Sequence, residues 1–182
     1  MSVRIHNLLS ARAARIHAAI VTALLALSAG QASAQITANT LEGTTFMGRF
    51  GSGVASIGDV NQDNVPDFAV GRPEASTNGV GVVTIYSGAN MTVLKTLTGI
   101  TDAAFGTSVA GAGDVNKDGW PDIIVGSPDY NPLNLHSGRI DVFSGKDWSI
   151  LHIFPGPESS AEFGRVVAGG GDFNNDGWDD FY

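Results

Sequence analysis

A nine-residue segment rich in aspartate and asparagine occurs three times in this chain, at 59–67, 114–122 and 172–180. Side chains with oxygen atoms stand at positions 1, 3, 5 and 9 of each copy, and position 6 carries Asn or Gly. Alternating oxygen donors around a tight turn are typical of short loops that wrap a hard divalent cation. The pattern therefore predicts three calcium-binding loops, with metal-free Asx-turns as the alternative.

The residues after position 9 exclude calcium loops of the EF-hand type. Those loops need an acidic ligand at position 12, followed by a helix. Position 12 is Val70 in the first copy and Val125 in the second, and both valines stand within apolar segments. We therefore expect the loops to connect β-strands.

The first 34 residues have the features of a secretory signal peptide. Three arginines precede an apolar run at 18–27, and Ala32-Ser33-Ala34 provides the small residues of a cleavage site. A membrane anchor, the alternative, is disfavoured because the run is shorter than the ~20 residues that span a bilayer. We predict a signal helix within 1–34 and a mature chain from Gln35. The product is expected to be secreted, to the periplasm, the cell surface or the medium, without later membrane insertion.

The predicted mature chain, 35–182, is acidic and has no cysteine. It keeps 18 acidic and 7 basic residues, a formal charge of −11. The acidic residues concentrate in the three loops, and no basic stripe is available for phosphates, which disfavours nucleic-acid binding. The absence of cysteine excludes thiol catalysis and zinc–thiolate sites.

The loops belong to a longer repeat with a period of 55 and then 58 residues. A Phe-Gly pair begins nine residues before each loop, at Phe50, Phe105 and Phe163. Small residues follow the pair, and an apolar run, an alternating segment and a further short strand follow each complete loop. This order predicts a four-stranded antiparallel meander, the size of one propeller blade. The units lie at about 44–99, 100–156 and 157–182, the third being truncated.

The segment 105–128 resembles the FG-GAP repeat of the integrin alpha-subunit N-terminal domain and its bacterial secreted relatives. It shares with that repeat the Phe-Gly pair, the Val-Ala dipeptide, the aspartate loop and a Val-Gly-x-Pro ending. The resemblance implies an all-β fold with about two and a half blades of a seven-bladed β-propeller. It also implies calcium in the hairpin between the first two strands of each blade. Asn64 departs from the glycine usual at position 6, but asparagine also tolerates positive φ.

The resemblance further implies which residues would hold each calcium ion. Each set has four side chains and the main-chain carbonyl of position 7. The sets are Asp59, Asn61, Asp63, Val65 and Asp67; Asp114, Asn116, Asp118, Trp120 and Asp122; and Asp172, Asn174, Asp176, Trp178 and Asp180. Trp120 and Trp178 are expected to cover the ions rather than to bind a sugar. Cations at these sites should stabilise the blades.

Closed propellers need about four to eight blades. We therefore interpret 35–182 as an incomplete propeller from a longer protein. The alternative is a short chain that associates with copies of itself through its open blade faces.

The predicted function is secreted, calcium-dependent adhesion or recognition of an extracellular protein or glycan, without enzymatic activity. Contacts with this ligand are expected opposite the calcium loops, at Asp129, Tyr130, Asn131 and His136. The alternative is the scaffold portion of an extracellular propeller hydrolase or lyase whose catalytic residues lie outside this chain.

Overall fold

The computed structural model describes residues 40–43, 48–74, 79–132 and 135–182. The predicted signal helix and its cleavage site therefore lie outside the described residues. Within the described ranges the named elements are all β-strands. No helix in those ranges is long and apolar enough to cross a membrane.

Eight strands form two four-stranded antiparallel sheets, each paired in chain order. The first sheet contains β1 (Val54–Gly58), β2 (Asp67–Arg72), β3 (Val82–Tyr86) and β4 (Val93–Thr98). The second contains β5 (Ser108–Gly113), β6 (Asp122–Ser127), β7 (Arg139–Phe143) and β8 (Ile150–Pro155). The third unit contributes the antiparallel pair β9 (Gly169–Gly171) and β10 (Asp180–Phe181). The predicted all-β fold of meander blades is confirmed.

The burial of each strand follows its place in the stack of sheets. β6 is buried along its whole length, because neighbouring sheets cover both of its faces. The apolar residues at its centre, Ile123, Ile124 and Val125, suit that position. β8, at the outer edge of the second sheet, is mostly exposed. The second sheet is therefore the central layer of the described structure.

Two apolar cores lie between the sheets. The core between the first and second sheets includes Ile57, Val83 and Ile123, and the Phe105 ring meets Phe143 edge-on with centroids 6.0 Å apart. The core between the second sheet and the β9–β10 pair includes Ile124, Val142 and Val167. Thus successive residues of β6 pack into opposite cores, as the pleat of a strand requires.

The Phe-Gly turns hold the blades close together. The N–H of Gly106 donates to the carbonyl of Gly126 within the second unit, at 3.0 Å. The carbonyl of Gly106 packs against Gly71 of the first sheet, and that of Gly164 packs against Gly126. A methyl group at Gly71 or Gly126 would overlap these carbonyl oxygens. The glycine after each Val in the apolar run is therefore required by the approach of the next unit.

Substitution of Gly126 by alanine tests this contact. We expect Gly126→Ala to lower the free energy of unfolding by about 1–3 kcal/mol, because the methyl group must displace the backbone of the next unit. Chemical denaturation monitored by circular dichroism measures the change. Gly119→Asn is the control: no atom lies within 4 Å of an added Cβ there, so only the left-handed backbone, φ +86°, opposes the change, and loop 1 already carries asparagine at this position. Equal stability of Gly126→Ala and the parent chain would contradict the packing role.

Candidate metal centres

The three aspartate-rich segments form the hairpin loops of the inner strand pairs. We call them loop 1 (59–67, between β1 and β2), loop 2 (114–122, between β5 and β6) and loop 3 (172–180, between β9 and β10). Register shifts in the strand pairing precede loops 1 and 2, at Gly58 and Gly113, where φ is +79° and +76°. These bulges turn the chain out of the sheet at the first aspartate.

The carboxylate at position 1 closes each loop over its own backbone. In loop 1, Asp59 Oδ1 accepts from the N–H of Asp63 at 3.0 Å, and Oδ2 accepts from the N–H of Asn64 at 2.7 Å. Loops 2 and 3 repeat both bonds from Asp114 and Asp172. The first side chain therefore points into the concave side of the loop in all three copies.

The side chains at positions 3 and 5 are hydrogen-bonded to each other and to the backbone of the same turn. Asn61 Oδ1 accepts from the N–H of Asp63 at 3.0 Å, and its Nδ2 donates to Asp63 Oδ2 at 2.9 Å. Asp63 Oδ1 accepts from the N–H of Val65 at 2.9 Å. Asn116 with Asp118, and Asn174 with Asp176, make the same bonds. The three side chains are thus gathered within one turn of chain.

Two positions in every loop have left-handed backbone. Position 6 has φ of +68°, +86° and +84° at Asn64, Gly119 and Gly177. This agrees with the turn expected from the sequence. Position 4, which sequence reasoning missed, also has positive φ: +58°, +59° and +58° at Gln62, Lys117 and Asn175. This conformation costs a residue with a Cβ about 1–2 kcal/mol, so the hydrogen bonds of the loop must hold it there.

Position 9 has a structural role that the sequence did not reveal. Asp122 is fully buried; its Oδ2 accepts from the N–H of Val115 at 3.0 Å and its Oδ1 from the N–H of Gly145 at 3.1 Å. Asp67 makes the equivalent bonds to Val60 and Gly88. The ninth residue therefore ties the start of its loop to the turn after the third strand of the sheet.

The electrostatics of the loops favour a bound cation. Burial raises the pKa of Asp122 to about 6, and the charges of Asp118 and Asp114 act in the same direction, while two N–H donors oppose them. Burial likewise raises the pKa of Asp67. Among the described residues, no lysine or arginine forms an ion pair with Asp67 or Asp122. A cation in the loop would compensate this charge.

The ligand sets fit calcium by the chemistry of their oxygen donors. Within the part of the chain that the structure describes, no three His, Cys, Asp or Glu side chains are arranged so that they could hold a metal ion. Each loop nevertheless offers hard oxygen donors only, and each hydrogen-bonded carboxylate oxygen has a second lone pair for a ligand. The five-ligand sets stay a prediction.

Loop 3 differs from the other two in its surroundings. Positions 1–7 of loop 3, residues 172–178, are all exposed, whereas most of loop 2 is half-buried. Asp180 accepts from the N–H of Phe173 at 2.9 Å and is half-buried rather than buried. Loop 3 thus has the same internal hydrogen bonds as loop 2 with less support from neighbouring residues.

The residues expected to contact a ligand lie in the β6–β7 connection. Because β6 runs away from loop 2, this connection is at the opposite end of the sheet. Asn131 Oδ1 accepts from the N–H of His136 at 2.8 Å, and the guanidinium of Arg139 lies 5.4 Å from the Tyr130 ring centroid. Arg139 also pairs with the buried Asp141 at 2.6 Å. All four expected residues therefore lie on this connection, with Tyr130 next to an arginine.

Comparison with known proteins agrees with this architecture. A family model described as FG-GAP repeat matches residues 105–143. The chain is 34% identical to human integrin alpha-IIb over 105 residues, 54% of this chain and 10% of that protein. It is 39% identical to mouse integrin alpha-8 over 108 residues (54% and 10%). It is 33% identical to Xenopus laevis integrin alpha-5 over 127 residues (65% and 12%). The chain thus spans about a tenth of the length of these curated relatives.

Meander blades with an aspartate-rich loop in each inner hairpin define a β-propeller repeat protein. Within that class, residues 105–143 match the FG-GAP repeat, and the chain is similar to integrin alpha subunits.

Removal of the Asp122 side chain tests the structural role of position 9. We expect Asp122→Ala to destabilise the chain by about 2 kcal/mol or more even in a chelator, because two N–H groups lose their buried acceptor. Urea denaturation in EDTA measures the change. The control, Asp118→Ala, removes a less buried carboxylate of the same loop and should cost less than Asp122→Ala. If the two substitutions cost the same, Asp122 has no special structural role.

Proposed function

We propose that each of the three loops binds one calcium ion, through the side chains at positions 1, 3, 5 and 9 and the carbonyl at position 7. The observation that best supports this is the threefold recurrence of one loop conformation, with left-handed backbone at positions 4 and 6 in every copy. Strained backbone kept at equivalent places supports a functional demand on the loop. The bound ion would act as a fixed double positive charge that offsets two of the three carboxylate charges and stiffens the hairpin.

In the bound state the chain's own residues have separate tasks. The position 1 and position 5 carboxylates and the position 3 amide oxygen provide donors from one turn of chain, already oriented by backbone N–H groups. The position 9 carboxylate is attached to the second strand of the sheet, so it joins the ion to the blade. Calcium binding would therefore stabilise the blade and not only the loop.

Calcium should raise the melting temperature of the chain. Affinity in the range of extracellular calcium modules, a dissociation constant of about 10⁻⁴–10⁻³ M, gives about 1–3 kcal/mol per filled site at about 10 mM calcium. Thermal unfolding followed by circular dichroism, in calcium and then in EDTA, measures this gain.

Paired variants make this measurement specific to the loops. Asp114→Asn with Asp118→Asn should remove at least about a third of the calcium-dependent gain, whereas Asp129→Asn, at the opposite end of the sheet, should keep it whole. Equal melting temperatures of the parent chain in calcium and in EDTA would overturn the proposal.

We further propose that the chain is secreted and recognises an extracellular protein or glycan, as a module for adhesion. The similarity to integrin alpha subunits and the signal-like leader support this role. The β6–β7 connection supports it as well, because a hydrogen-bonded loop with an exposed His136 stands at the end of the blade that the cation loops leave open. Loops held by a rigid scaffold are the usual place for binding residues.

A panel of matrix proteins and glycans tests the recognition role. We expect calcium-dependent capture by at least one member of the panel, and Tyr130→Ala with His136→Ala should reduce this capture at least tenfold without lowering the melting temperature in calcium. Asp147→Asn, on the exposed turn between β7 and β8, is the matched control. Hydrolysis or cleavage of a panel member instead of capture would favour the enzyme-scaffold alternative.

A further inference from the structure

Loops 2 and 3 are joined by a hydrogen bond between neighbouring units. Asp179 Oδ2, at position 8 of loop 3, accepts from the N–H of Asp114 at 2.8 Å. Asp114 is position 1 of loop 2, whereas Asp179 stands outside the ligand pattern of its own loop. The side chain of Asp179 is thus placed to fix the backbone that carries the first donor of the neighbouring loop.

A second, independent contact joins the same two loops. Lys117 Nζ, at position 4 of loop 2, lies 3.9 Å from the ring centroid of Trp178, at position 7 of loop 3. A lysine ammonium at this distance from an indole face is a favourable cation–π contact. Because Trp178 is 45% exposed, its contact with Lys117 lies on the protein surface and is not part of an apolar core. Both contacts therefore link loop 2 with loop 3, and the residues that make them are predicted cation ligands or their neighbours in the chain.

Loops 1 and 2 meet differently. Position 8 of loop 2 is Pro121, and its ring lies against Gly58, 2.8 Å from where a Cβ would stand. Asp179 occupies the equivalent place against Gly113. Proline offers neither a charge nor a side-chain acceptor, so its contact with the preceding unit is apolar. Loops 2 and 3 are therefore the adjacent pair with a polar link at position 8.

We propose that loops 2 and 3 bind divalent cations as a coupled pair, with Asp179 as the positioning residue for Asp114, while loop 1 binds independently. This inference rests on the proposed calcium function. A cation that orders the exposed loop 3 also fixes Asp179 and Trp178, so the ordering of loop 2 is partly complete before its own cation arrives. By reciprocity, a cation in loop 2 favours binding in loop 3 by the same factor.

Terbium luminescence can report on loop 2 in the full chain. Indole sensitises bound terbium, and position 7 is tryptophan in loops 2 and 3 but Val65 in loop 1. In a background with Trp148→Phe and Trp178→Phe, the tryptophan-sensitised emission therefore arises from loop 2, through Trp120. Phenylalanine at position 178 keeps an aromatic face for Lys117. Competition by calcium then gives the calcium affinity of loop 2.

Two pairs of substitutions remove the same charge from either side of loop 2. Asp172→Asn with Asp176→Asn disables loop 3, and we expect it to weaken calcium binding at loop 2 about fivefold or more. Asp59→Asn with Asp63→Asn disables loop 1, and the affinity of loop 2 should then change less than twofold. Equal effects of the two pairs would overturn the coupling and leave calcium binding itself intact.

Asp179→Pro gives a test in which all three ligand sets are kept, because proline is the residue that loops 1 and 2 carry at position 8. In a Trp148→Phe background, the tryptophan-sensitised signal of loops 2 and 3 should rise with a Hill coefficient above 1, and addition of Asp179→Pro should lower the coefficient to about 1. Asp179→Asn, which keeps an acceptor for the Asp114 N–H, should restore cooperativity. A coefficient unchanged by Asp179→Pro overturns the coupling, whereas no terbium or calcium uptake by any loop overturns the proposed function.

Discussion

The buried carboxylate at position 9 is the interaction on which the rest of each four-stranded blade depends. Asp122 is the first residue of β6, the end of loop 2 and the acceptor for Gly145 in the turn after β7. One side chain therefore connects the inner hairpin with the outer half of the sheet. Burial of its charge is unfavourable unless donors or a cation compensate it. The two N–H donors do so in part, and the proposed calcium ion would do the rest.

The packing between blades imposes the second constraint. Because the carbonyl oxygens of Gly106 and Gly164, in two successive Phe-Gly turns, pack against Gly71 and Gly126 respectively, strands of neighbouring units approach more closely than side chains would permit. The apolar cores fill the remaining space between the sheets, with Phe105 of one such turn packed edge-on against Phe143. The position of every cation loop follows from this stacking.

Much of the fold could be predicted from the sequence because local patterns determine it. The strand order, the hairpin position of the loops and the positive φ at Asn64 all follow from periodicity and turn chemistry, and the structure confirms them. The left-handed backbone of Gln62 could not be predicted, since glutamine has no preference for it. Nor could the partner of Asp67, because Gly88 is 21 residues away and the bond depends on the folded sheet.

The contact between loops 2 and 3 shows where sequence reasoning ends. Asp179 looks like one more acidic residue in the third copy, and only the packing of the units brings it to the Asp114 N–H. The signal peptide lies outside the described residues, and the calcium ligands and the ligand-binding face remain predictions. The calcium ligands and the ligand-binding face depend on a bound ion and a bound macromolecule. Local patterns in the sequence suggest such partners but do not identify them.

The stoichiometry of calcium binding to the folded chain tests the central claim most directly. Isothermal titration calorimetry on metal-free protein gives the number of ions and their affinity in one experiment. The proposed loops predict three calcium ions per chain. Heat of dilution alone, from protein whose circular dichroism shows a folded β structure, would contradict the claim that these loops are metal centres.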